Sequence, residues 1–122
     1  EISLNFLPER LVELSLRKNH LSGTLDFQKL PQSLECLVLN GNHFIGDVNL
    51  SSLPLRLKEL KLHDNAFDGT LTIGSYVKQI KQFRIENNPL KEEISFVGNG
   101  HRDMEFEHEL RKMAGLLSDV KL

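Results

Sequence analysis

The chain has 122 residues, 39% of them hydrophobic and 26% charged, a composition that fits one folded globular domain and not a disordered segment. A formal net charge of −2 excludes the basic footprint of a general nucleic-acid binder. The single cysteine excludes an internal disulfide, and no apolar run reaches the ~18–20 residues of a membrane span.

Leucine is in excess, at 23 residues beside seven Phe, one Tyr and no Trp, and this skew points to an internal repeat. Residues 1–10 read as the tail of an earlier repeat, because Ile2, Leu4 and Leu7-Pro8 match Leu25, Phe27 and Leu30-Pro31. Glu1 falls in mid-repeat, so the register implies further repeats on the N-terminal side. Three units of 23 residues follow, at 11–33, 34–56 and 57–79, and a degenerate fourth at 80–102. Leu11, Leu34, Leu57 and Ile80 open them; Leu14, Leu37, Leu60 and Phe83 come next, then Leu16, Leu39, Leu62 and Ile85. In L-x-L the apolar residues alternate, which predicts a short strand with one buried face.

Asn19, Asn42, Asn65 and Asn88 occupy one column after these strands. Their amides can bond backbone groups of their own and the neighbouring coil, giving a structural ladder. Gly23, Gly46 and Gly69 mark a bend. Leu25-x-Phe27, Val48-x-Leu50, Leu71-x-Ile73 and Ile94-x-Phe96 then predict a second short strand on the far side of each coil. Leu-Pro begins a turn, of 3₁₀ type, that returns the chain to the next first strand. In the fourth unit Pro89 follows Asn88 and Glu92 replaces the glycine; Tyr76-Val77 has already replaced Leu-Pro. Residues 103–122 form a C-terminal capping segment. Phe106, Leu110, Met113 and Leu117 lie at helical spacing, with Leu116 and Val120 beside them, and predict a helix over about 103–118. Asp103 would be its N-cap, with Glu105 and Glu107 in the first turn and Lys112 later.

The unit L-x-x-L-x-L-x-x-N-x-(L/F)-x-G-x-L-x-(L/F)-x-x-L-P-x-x resembles the leucine-rich repeat. Asn19-His20-Leu21-Ser22-Gly23-Thr24 is similar to the N-x-L-S-G-x segment of plant-type repeats, which run at a period of 24 and continue with Ile-Pro. The L-P-x-x-L-x-x-L junction is more similar to repeats of single-celled eukaryotes. The resemblance implies a right-handed solenoid. A parallel sheet would line its concave face, with short second strands or 3₁₀ turns on the convex side and a helix as C-terminal cap. Flanking cysteine pairs, which cap many extracellular members, do not occur here.

Three columns of side chains project from the first strands: Glu13, Cys36, Glu59 and Gln82; Ser15, Val38, Lys61 and Arg84; Arg17, Asn40, His63 and Glu86. Strands ~4.8 Å apart make each column a row across the face. Its mixed signs, with basic residues running diagonally from Arg17 to Lys61 and Arg84, suit a charge-patterned protein partner. The reading is therefore a non-enzymatic interaction module. The alternatives are an architectural subunit of a larger assembly or a piece of a cell-surface receptor-like protein. No catalytic constellation, cofactor fingerprint or metal site is expected. His20 and His43 lie in one column but lack a third ligand, and Glu105-x-x-His108 lacks partner helices. Cys36 has no paired base. Asn49-Leu50-Ser51 is a formal glycosylation sequon, with Leu50 at a core position, and Val97-Gly98-Asn99-Gly100 reads as a turn. A lone cysteine points to a reducing compartment.

Overall fold

The computed structural model describes residues 4–98 and 104–115. They form a parallel β-solenoid of about four stacked coils followed by one α-helix. The strands, in chain order, are β1 (Glu13–Ser15), β2 (Ser22–Gly23), β3 (Cys36–Val38), β4 (His43–Phe44), β5 (Val48–Leu50), β6 (Glu59–Lys61), β7 (Leu71–Ile73), β8 (Gln82–Arg84) and β9 (Ile94–Phe96). The helix α1 spans Met104–Met113. The longest sheet has the order β1-β3-β6-β8 and the second β5-β7-β9, all parallel. In both, every pairing steps by 23 residues: Glu13 lies beside Cys36, Cys36 beside Glu59, Glu59 beside Gln82. Val48, Leu71 and Ile94 are aligned in the same way.

Apolar alternation builds the interior. Leu37, Leu60, Leu39, Leu62, Phe44, Phe67, Val48 and Leu71 are fully buried in one continuous core. Phe44 and Phe67 stack with ring centroids 6.3 Å apart. Where each Leu-Pro turn leads back toward the long sheet, an amide bonds the carbonyl three residues earlier: Leu34 to Pro31 and Leu57 to Pro54, both 3.1 Å. Without proline, Val77–Gln79 forms a short 3₁₀ helix at the same place.

The asparagines join the coils. Asn42 Oδ1 accepts the amides of Asn19 and Leu21, both at 3.0 Å, and Nδ2 donates to Leu16 O at 2.9 Å and Leu39 O at 3.0 Å. Asn65 and Asn88 repeat the pattern, accepting from Phe44 and Phe67 and donating to Leu39 O and Leu62 O of the preceding coil. Glycine is needed where coils approach. Gly46 takes φ +90°, and a Cβ on Gly69 would stand 2.8 Å from the Asp47 backbone nitrogen.

Two expectations change. Residues 25–27 form no strand, although Phe27 is buried as the alternation requires. One coil on, Gly74 N–H donates to Leu50 O; the equivalent amide here, Ser51 N–H, donates instead to Asn49 Oδ1 at 3.0 Å. Asp26 Oδ1 likewise accepts Gln28 N–H. Side-chain competition of this kind removes the ladder. The first coil pairs earlier, through β2 and β4, with Ser22 beside His43. The helix is shorter than the spacing predicts. Leu110 and Ala114 are buried in the core, Phe106 and Met113 pack against it, and Arg111 Nη1 donates to Glu92 O at 2.7 Å. Asp103, Leu116, Leu117 and Val120 lie outside the described residues, as do Ile2, Asn99 and Gly100.

Candidate functional site

The outer face of the long sheet carries the three predicted columns. The pairing sets Glu13, Cys36, Glu59 and Gln82 side by side, and likewise Ser15, Val38, Lys61 and Arg84. Arg17, Asn40, His63 and Glu86 follow just beyond the strands. All twelve except Gln82 and Glu86 line one shallow depression of about 330 Å³, so side chains from four coils meet in one place.

The face is not uniformly solvated. Glu13, Ser15, Arg17, Gln82 and Arg84, on the two edge coils, are exposed. Val38 and His63, on the inner coils, keep only 7% and 5% of their surface in contact with solvent. An inner residue has a neighbouring coil on both sides, and its long-chain neighbours cover it. Charges are matched locally. Lys61 Nζ lies 3.1 Å from Glu59 Oε2, and Arg84 Nε donates to Glu86 Oε2 at 2.6 Å. Arg17 has no ion-pair partner among the described residues. Asn40 Oδ1 and His63 Nδ1 are buried without a hydrogen-bond partner, a cost carried by the free chain.

Burial governs the titrations. Burial, aided by the neighbouring Glu59 carboxylate, pushes the Cys36 thiol up to about 11, so it is a protonated thiol at neutral pH. Burial, and then the Arg84 charge, holds the His63 imidazole below its usual range. Asp64 and Glu86 oppose this and Lys61 adds to it. For Glu86, burial is the largest influence and would raise the carboxyl, but the Arg84 hydrogen bond, a backbone hydrogen bond and the Arg84 and His63 charges together outweigh it, and the net direction is down.

His20 and His43 stack, with ring centroids 5.5 Å apart and Nδ1 to Nε2 at 3.3 Å, a hydrogen-bond distance. Among the described residues no group of three or more His, Cys, Asp or Glu side chains is placed to hold a metal ion, and no helix is long and apolar enough to cross a membrane.

A second feature does not follow from the L-x-L pattern. On the side from which the chain enters β6 and β8, a groove of about 350 Å³ runs between coils, lined by Glu35, Leu55, Arg56, Leu57, Lys58, Tyr76, Gln79 and Lys81. The signal for it in the sequence is a single residue out of place in its column. The positions equivalent to Leu55 are Glu9, Gln32 and Lys78, all polar.

The fold and this face define a repeat β-solenoid with a charged, multi-coil sheet surface. Compared with known proteins, the chain matches no family model, no curated protein and no solved structure.

Proposed function

We propose that the chain is a non-enzymatic protein-interaction module of leucine-rich-repeat type, binding a protein partner through the outer face of its long sheet, read as the concave face of the solenoid. The observation that supports this most is the gathering of ten side chains from four coils, of both charges, in one depression. A surface assembled from four coils, three residues from each of the first three and Arg84 from the fourth, suits an extended partner better than a small molecule. The leucine-rich-repeat reading rests on the L-x-x-L-x-L-x-x-N unit, in which the first apolar residue of L-x-L centres each strand of the long sheet and Asn42, Asn65 and Asn88 bond the preceding coil. The absence of enzymatic chemistry is part of the proposal; a protonated Cys36 thiol supports it. With Leu110 and Ala114 committed to the core, α1 is read as closing the solenoid.

The test is quantitative affinity capture from the native source with the wild type and with Arg17→Glu, Lys61→Glu and Arg84→Glu combined, both showing the same thermal melt. A partner lost only with the triple variant supports the reading. A partner held equally by both contradicts it.

A further inference from the structure

We propose that the rim by which the chain enters β6 and β8, centred on Leu55, is a second docking surface, for an acidic polypeptide segment carrying an apolar residue. This surface is separate from the outer face of the long sheet and goes beyond the proposed function.

The charge distribution supplies the first argument. Residues 51–58 and 74–81, which lead into β6 and β8, contain Arg56, Lys58, Lys78 and Lys81 and no acidic residue. Residues 64–70 and 87–93, which follow the same strands, contain Asp64, Asp68, Glu92 and Glu93 against Lys91 alone. A coil turns in opposite directions before and after its strand, so the two sets lie on opposite rims. The third and fourth coils are therefore polarised across their width in a chain whose net charge is only −2. On the acidic rim the aspartates are engaged locally: Asp68 Oδ1 accepts Gly46 N–H at 2.9 Å and Asp64 Oδ1 accepts Asn87 Nδ2–H at 2.7 Å. On the basic rim Lys58 is held by Glu35 at 3.2 Å, while Arg56 and Lys81 have no ion-pair partner among the described residues.

Leu55 supplies the second argument. It is 65% exposed, and neither the repeat nor the core requires an apolar side chain there, since Glu9, Gln32 and Lys78 fill the same position elsewhere. It stands at a groove of about 350 Å³, with Tyr76 half-buried on the neighbouring coil. An apolar anchor flanked by two cations with no ion-pair partner among the described residues, Arg56 and Lys81, is complementary to an acidic segment with one apolar side chain. A nucleic-acid backbone or an anionic membrane fits less well, because Glu35 lies inside the groove and interrupts the positive track.

Fluorescence anisotropy with a short labelled peptide, in which Asp and Glu flank Leu and Phe, tests the proposal. The wild type should bind this peptide in a salt-sensitive manner. Combining Arg56→Glu with Lys81→Glu should weaken binding about tenfold, as should Leu55→Ser, a change at an exposed site that leaves the melt unaltered. Arg56→Gln, which is milder, should give a smaller loss in the same direction. The variant carrying Arg17→Glu, Lys61→Glu and Arg84→Glu should bind like the wild type, which separates this surface from the sheet face. The proposal is overturned if the peptide does not bind or if the rim variants bind it unchanged. Equal binding of a peptide with Ser in place of Leu and Phe would also overturn it. So would tighter binding to phosphatidylserine vesicles or oligothymidine, or a Leu55-dependent self-association in sedimentation, each naming a different occupant.

Discussion

Asn19 and Asn88 occupy the same column of the repeat, yet their surroundings in the first and fourth coils of the described residues differ. Asn88 is 9% exposed; its amide donates to Leu62 O, Ile85 O and Glu86 O, and its oxygen accepts Phe67 N–H. Asn19 is exposed, and among the described residues its side chain makes one bond, to Arg17 O within its own coil. The residue and its place in the repeat are the same, and Asn88 alone has a preceding coil whose backbone its side chain bonds. In a solenoid, burial and satisfaction belong to the interface between coils and not to the coil itself. The leucines follow the same rule. Leu14 in β1 is only half-buried, whereas Leu37 and Leu60, its counterparts in β3 and β6, are completely buried.

The largest expected contrast is in the core. Leu60→Ala should cost about 3–4 kcal/mol in urea unfolding and Leu14→Ala about half of that or less. Similar losses would mean that the first coil is buried like the inner ones. Next comes the asparagine column. Asn88→Ala, which strands buried donors and acceptors in two coils, should cost about 2–3 kcal/mol, and Asn19→Ala under about 0.5 kcal/mol. Comparable values would remove the inter-coil account of the ladder.

Two titrations sharpen the same contrast on the sheet face. His63 lies on an inner coil, and its midpoint, followed by NMR, should fall below 6.5. Because the unfolded chain then takes up the proton more readily, the stability tied to His63 is present above pH 6.5 and is lost as pH falls through that value toward the folded midpoint. His63→Gln should flatten this acid limb, and an unchanged limb would assign it to other groups. Cys36 gives the opposite sign. With its thiol raised from 9.0 to about 11, its contribution is present below pH 9 and is lost as pH rises toward 11. Alkylation of folded Cys36 at pH 8 should be slower than in urea by at least about tenfold, from the thiolate fraction alone. Glu59→Gln should recover part of the rate.

Much of this architecture is legible in the sequence because the period is a distance in the fold: Glu13, Cys36, Glu59 and Gln82 share a column on paper and pair in space. Alternation gives each strand its buried face, and a polar residue recurring at one position gives the ladder. Lateral effects are not legible in this way. Val38 and His63 read as outward positions, but neighbours two coils wide bury them. Leu25-x-Phe27 reads as a strand as well as Val48-x-Leu50 does. Its pairing depends on where Ser51 N–H donates, and Asn49 takes that bond. The groove at Leu55 depends on residues from three coils, most of which, Leu55 among them, stand outside the apolar positions of the repeat signature.

Register decides which side chains turn inward to bond the coils and which project outward. The direct measurement compares Asn42→Ala with Asn40→Ala by urea unfolding. Asn42 is 4% exposed and bonds Leu16 O and Leu39 O, whereas Asn40 Oδ1 has no partner to lose. Asn42→Ala should cost about 2–3 kcal/mol and Asn40→Ala under about 1 kcal/mol. Equal costs, or the reverse order, would contradict the register and with it the assignment of the binding face.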